Sequence, residues 1–194
     1  MDHLSVLKAR IEASVKLKSS LLSNEAIQNS IIHLTAEIVR SYRSGGKVLW
    51  CGNGGSAADA QHLAAELSGR FYYDRAPLNS EALHVNTSYI TAVANDYSYE
   101  QIYSRLIAAM GKSGDVLIGL STSGNSGNVI NALIEGKKRG MLCVGFTGET
   151  GGKMKEHCDL LINIPSTDTP RIQECHMLLG HTVCELVESS LFPK

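Results

Sequence analysis

From Lys47 onward the chain alternates between short, unbroken apolar runs and longer stretches whose apolar residues recur every three or four positions. The runs are KVLWC (47–51), EALHV (81–85), DVLIGL (115–120), MLCVGF (141–146) and DLLINI (159–164), each bounded by polar residues or glycine. Runs lacking polar alternation predict strands buried on both faces, and therefore a parallel sheet. The stretches between them predict helices over about 57–71, 89–110 and 127–139 and a short piece near 153–157, with a long last helix over roughly 169–191. Strands alternating with helices in this way describe an α/β, doubly wound fold.

No strand precedes Lys47. Leu4, Leu7, Ile11, Val15 and Leu22 form a loose helical stripe, and Ile27, Ile31, Leu34, Ile38 and Tyr42 form a second over about 24–44. Gly45-Gly46 ends that helix, because glycine accepts the left-handed conformation just past a helix terminus. The pair is an N-terminal hairpin outside the repeating unit: a lid, half of a bundle, a subunit interface or a hairpin packed on its own sheet. The chain reads as one domain over 1–194, with the hairpin at 1–45, the α/β core at 46–168 and the C-terminal helix at 169–194. It contains no internal repeat, low-complexity stretch or dividing linker.

Open doubly wound sheets bind ligands beyond the carboxyl ends of their strands, where strand order reverses. With five strands in the flavodoxin-like order 2-1-3-4-5, that point lies between the first and third. Those are the two strands followed by unusual turns, CGNGGSAAD (51–59) and STSGNSGN (121–128). The first turn nearly fits the dinucleotide fingerprint, Gly52-Asn53-Gly54-Gly55-Ser56-Ala57 reading GxGxxA. However, the acid that should follow the next strand to hold a ribose is replaced by Val85, Asn86 and Thr87. A P-loop fails too: Gly111-Lys112-Ser113 has Leu106 where the upstream glycine is required, and a strand follows it. The second turn is more telling. Ser121, Thr122, Ser123 and Ser126 surround Gly124 ahead of a helix, and hydroxyls with free helix N–H groups make a phosphate site without any cation. N-capping would need only one of those hydroxyls.

His62 and Glu66 share a helix face at i,i+4, a spacing that by itself marks a surface pair worth about 0.2–0.5 kcal/mol. Their helix is otherwise rich in alanine (57, 58, 60, 64 and 65) and so suited to close packing. In the last helix Gln173, His176, Met177 and His181 fall in a broad stripe among leucines and valines. If the two helices meet, within or between subunits, a His/Glu/Gln/His cluster forms that is able to bind Zn²⁺ or to supply a carboxylate base and an imidazole acid. Spacing does not choose between His176 and His181.

Composition narrows the setting. The 194 residues have a formal net charge of −1, which gives no sign of a nucleic-acid groove or a membrane surface. No apolar run reaches the ~18 residues of a membrane span, and the charged N-terminus is not a signal peptide. Five cysteines without a CxxC pair, three of them inside apolar segments, fit buried free thiols in a reducing cytoplasm.

The segments GNGGSAADAQHLAAEL, AVANDYSYE, GDVLIGLSTSGNSGNVI, GFTGETGGKM and STDTPRIQECHMLLGHTVCELVE resemble, in order and over nearly the whole chain, the sugar isomerase (SIS) family, and within it the branch acting on phosphorylated heptoses. The resemblance implies a cytoplasmic homotetramer with active sites between subunits. Its reaction would convert sedoheptulose 7-phosphate into D-glycero-D-manno-heptose 7-phosphate, the first step towards nucleotide-activated heptose for lipopolysaccharide or capsule. It also implies one zinc per subunit held by His62, Glu66, Gln173 and His181, with Glu66 as base and His181 as acid. Asn53, Gly54, Gly55, Glu66, Asn95, Asp96 and Gln173 would touch the substrate, and Ser121, Thr122, Ser123 and Ser126 would hold its phosphate. The alternative within the same family is a non-catalytic protein that binds the replication initiator or senses a phosphosugar. The presence of Glu66, His62, Gln173 and His181 beside an intact STSG turn favours the enzyme.

Overall fold

The computed structural model describes residues 2–194. Two helices open the chain, α1 (His3–Leu21) and α2 (Glu25–Arg43). Asp2 caps the first by accepting from the Leu4 amide at 3.1 Å, and Asn24 caps the second by accepting from Ile27 at 3.1 Å. Helix α2 ends as its glycines predict: Gly45 is left-handed (φ 78°), its amide bonds Tyr42 O at 3.0 Å, and the Gly46 amide bonds Ser41 O at 2.8 Å. Ile27, Ile31, Leu34 and Ile38 bury the inner face of α2. Of α1 only Leu21 is buried, and Leu4, Leu7, Ile11 and Val15 point outward, each more than half exposed.

Five parallel strands follow in the order β2-β1-β3-β4-β5. They are β1 (Val48–Gly52), β2 (Ser80–Ala82), β3 (Val116–Ser121), β4 (Leu142–Thr147) and β5 (Leu160–Asn163). Every residue of β1 and β3 is buried, as the unbroken apolar runs require. Alternate side chains serve two cores. Val48, Trp50, Ile118 and Phe146 face the side covered by α2, α3 (Gly55–Ser68) and α7 (Thr169–Leu191). Leu49, Cys51, Leu117 and Cys143 face α5 (Ile102–Met110) and α6 (Gly127–Lys138). Among the described residues no helix is long and apolar enough to cross a membrane.

Three expected boundaries change. The second strand is only three residues long, because Leu83 still bonds Trp50 O but the chain then turns and Asn86 caps the next helix through the Tyr89 amide. The helix expected over 57–71 starts at Gly55 and ends at Ser68, since Gly69 and the segment beyond it leave the helical path. The single helix expected over 89–110 is α4 (Thr87–Asp96), a 3₁₀ turn (Tyr99–Gln101) and α5. No glycine or proline marks that break. The run Asn95-Asp96-Tyr97-Ser98 is poor in helix formers, and Ser98 is extended (φ −167°). Long-range bonds then win. Tyr99 Oη donates to Asn53 Oδ1 at 3.0 Å, Tyr89 Oη donates to Ile102 O at 3.0 Å, and the buried Tyr103 Oη donates to Gly52 O at 2.5 Å.

Candidate active site

The carboxyl ends of β1 and β3 lie side by side, Gly52 in register with Leu120, so both unusual turns emerge together at the end of the sheet where strand order reverses. In the first turn Gly54 has φ 55°, a left-handed conformation that favours glycine. A Cβ on Gly55 would lie 2.5 Å from Gln173 Nε2, so glycine there lets α7 come against the turn. The turn is braced from the other side. Asn53 and Asn128 exchange reciprocal amide bonds of 2.8 Å, and the Val129 amide donates to the buried Asn128 at 3.0 Å.

In the second turn Ser121 Oγ and Ser126 Oγ are 2.9 Å apart, and Ser123 Oγ accepts from the Asn125 amide at 3.2 Å. Ser126 occupies the N-cap of α6, yet its side chain makes no capping bond. Ser121 and Ser126 are therefore turned to one another rather than to the helix. Of the first amides of α6 only that of Val129 is taken by a side chain, Asn128, which leaves those of Gly127 and Asn128 for an anion. Thr122 holds the turn through its carbonyl, which accepts from Gly148 at 3.1 Å. The Glu100 carboxylate stands over Gly127, where a Cβ would be 3.0 Å from Oε1.

Helices α3 and α7 pack closely because Gly180 faces Leu63; any Cβ there would collide with that side chain. The close approach brings His181 to the α3 face that bears His62 and Glu66. His62 Nε2 lies 3.1 Å from Glu66 Oε1 and 2.9 Å from His181 Nε2. One ligand atom from each of the three residues lies within 4.8 Å of the other two. Burial lowers the His181 pKa and the neighbouring His62 lowers it further, while Glu66 acts in the opposite sense. Two imidazole nitrogens at 2.9 Å must share a proton or another cation between them. Two histidines and a carboxylate are a common donor set for a catalytic divalent metal, whose tetrahedral ligands stand about 3.3 Å apart, so the three residues fit such an ion.

The other expected site residues are placed as follows. Gln173 lies eight positions before His181, about 12 Å along α7 by helical rise, and its side chain lies against the glycine turn at Gly55. Asn95 and Asp96 are exposed at the end of α4, where they bond each other at 2.9 Å; Tyr99 makes the link to the glycine turn. Of the two candidate histidines on α7, His176 is fully buried with Nε2 3.2 Å from Thr147 O, so only His181 reaches His62.

Four residues went unread in the sequence. Asn128 lies within the quoted second turn, but only the crossing of the two turns gives it a partner. Tyr99 lies in AVANDYSYE, hidden by the break in the expected helix. Arg75 and Glu188 form a buried pair that ties the segment after α3 to α7, with Arg75 Nε donating to Glu188 Oε1 at 3.0 Å. No local pattern joins positions so far apart in sequence.

The SIS domain family matches residues 13–148. The phosphoheptose isomerase of Aneurinibacillus thermoaerophilus is 48% identical over 96% of this chain and 94% of its own length. That of Burkholderia pseudomallei (strain 1710b) is 49% identical over 99% and 98%. Among solved structures, the phosphoheptose isomerase of Francisella tularensis superposes with a TM-score of 0.93 at 33% identity, covering 97% of this chain and 100% of that one. The Neisseria gonorrhoeae phosphoheptose isomerase gives 0.89 at 38% identity, covering 96% and 98%.

Proposed function

This chain belongs to the SIS domain family, and on that premise we propose that it is an isomerase converting sedoheptulose 7-phosphate into D-glycero-D-manno-heptose 7-phosphate. The observation that carries this reading is the meeting of Glu66, His62 and His181 between α3 and α7, beside a hydroxyl-rich turn at the same sheet edge.

Ketose-to-aldose isomerisation moves a proton between C1 and C2 through a cis-enediol. A proton on carbon next to a carbonyl is weakly acidic, so a positioned carboxylate must remove it while charge on oxygen is stabilised. Glu66 takes the C1 proton and returns it at C2; its Oε1 faces His62, which leaves Oε2 for the substrate. His181 moves protons between the two substrate oxygens. A divalent ion, which we take to be zinc, would be held by His62, Glu66 and His181 and supplies polarisation of the carbonyl and hydroxyl oxygens. Ser121, Thr122, Ser123 and Ser126 with the α6 N-terminus hold the phosphate, whose binding energy positions the open-chain sugar. Asn53, Gly54 and Gly55 line the sugar, with Asn95 and Asp96 beside it.

Gln173, two turns from His181 along α7, is taken as the fourth ligand. The outward apolar row on α1 supports assembly, for which we adopt a homotetramer with active sites between subunits. All five cysteines are unpaired, which supports a cytoplasmic setting. The deciding experiment is incubation of the purified protein with sedoheptulose 7-phosphate while NMR follows the aldose product, alongside metal analysis of the same sample. Turnover that is lost with chelation and restored by zinc is the expected result. A folded, metal-loaded protein without turnover would instead favour the non-catalytic binding or sensing reading.

A further inference from the structure

His181 must fix two side-chain torsions before its Nε2 can face His62. Metal-binding histidines are generally oriented by a hydrogen bond from the other ring nitrogen to a carboxylate, carbonyl or water. Among the described residues His181 makes one side-chain hydrogen bond, to His62 itself. What lies against it is the ring of Phe71, stacked with centroids 5.7 Å apart and planes 29° apart. The His62 ring meets the same imidazole edge-on, at 5.1 Å and 70°. His181 is thus held between a flat face and an edge.

Phe71 lies in the irregular segment between α3 and β2, where a side chain has no helix or ladder to orient it. Its backbone is nevertheless pinned. Glu188 Oε1 accepts from the Phe71 amide at 2.9 Å, and Oε2 accepts from the Tyr72 amide at 2.8 Å. Burial pushes the Glu188 carboxyl up, but these two amides and Arg75 outweigh it and hold the group below its ordinary value. Arg75, paired with Glu188, also donates to the carbonyls of Glu66 and Leu67 at 2.8 Å and of Gly69 at 3.0 Å. The Arg75 and Glu188 side chains are 2% and 1% exposed. One buried pair therefore ties the end of the Glu66 helix and the Phe71 backbone to α7, the helix that bears His181.

We propose that Phe71, pinned by Glu188 and Arg75, is a positioning residue that sets the ring orientation in which His181 binds a divalent metal. This rests on the metal-binding reading of His62, Glu66 and His181 given above. A purely structural role for Phe71, as a filler between α3 and α7, predicts something different: loss of stability with an unchanged metal site.

The test is titration of metal-free full-length protein with Zn²⁺ and Co²⁺ against a chromophoric chelator, together with the visible spectrum of the Co²⁺ form. Phe71→Leu keeps an apolar side chain but removes the ring face. It is expected to weaken metal binding about tenfold, to alter the Co²⁺ bands, and to lower kcat while leaving KM unchanged. Phe71→Tyr keeps the face and is expected to restore all three. If the Leu variant does not fold, Phe71→Met, which fills a similar volume without a flat face, carries the same expectation. Wild-type affinity and spectrum in the Leu or Met variant would overturn the proposal, and so would failure of Tyr to rescue. Wild-type protein that binds neither metal would overturn the metal reading itself, which separates the two failures.

Discussion

Helix α7 presents histidines on two of its faces, little more than a turn apart, and their surroundings differ completely. His176 points into the core, fully buried, edge-on to Phe146 at 5.6 Å and with Nε2 3.2 Å from Thr147 O. Burial pushes its pKa down to about 4, so at neutral pH it is an uncharged core residue. His181 points toward α3, partly exposed, and faces an imidazole and a carboxylate at ligand distance. The same residue type on one helix is thus a packing element on one face and a member of a His/Glu/His cluster on the other. A charged His176 would lack a second partner, whereas His181 has groups able to share a proton or a metal with it.

Substitutions break this contrast in different ways. The largest effect is expected on the α3 side. Glu66→Gln keeps the shape of the side chain but removes the proposed base, so kcat should fall by roughly 10²- to 10⁴-fold while the melting temperature stays near that of wild type. Turnover and thermal melts on the same preparation check both halves, and near-normal turnover would remove Glu66 as the base.

The core side should respond to pH instead. The folded-state pKa of His176 lies below its ordinary 6.5, at about 4, so the unfolded chain takes up its proton first as pH falls. The stability linked to His176 is therefore complete above pH ~6.5 and is lost as pH drops towards ~4, a difference on the order of 3 kcal/mol. His176→Leu should flatten that part of the stability curve, with little effect on activity at neutral pH. Denaturant unfolding of both proteins at pH 7 and pH 4.5 gives the comparison; parallel losses in the two would refute it.

The smallest effect is expected where the two faces are joined. Gly180→Ala places a methyl group against Leu63 and pushes α3 from α7. Overpacking of this kind costs about 1–3 kcal/mol, and the better helix propensity of alanine returns up to about 1 kcal/mol. A net destabilisation of about 1–2 kcal/mol in denaturant melts should accompany weaker metal binding, since His62 and His181 are drawn apart. A stabilised variant with unchanged metal affinity would show that Gly180 has no part in closing the site.

Much of this architecture was legible along the chain. Strands β1 and β3 are buried on both sides, so their sequences carry no polar alternation and stand out as apolar runs. Helix α7 spans Thr169–Leu191, in agreement with the sequence reading. The placement of both special turns at the strand-order switch follows from topology alone. The proposed phosphate role of the second turn also rests on residue types, because four hydroxyls exceed what a cap requires.

Other features could not be read locally. The break between α4 and α5 contains neither glycine nor proline; it is held open by Tyr89, Tyr99 and Tyr103 bonding to distant groups. His176 and His181 are separated by about 140° around the helix, both within a broad stripe, so periodicity gave no choice between them. Family resemblance pointed to His181. In the structure it is the close packing at Gly180 that presents that residue to His62. The amino-acid sequence by itself determined the strands, the helices, the two unusual turns and the set of chemical groups. Which of those groups meet was decided only by tertiary packing, because contacts among Phe71, Arg75, His181 and Glu188 join residues that no local periodicity links.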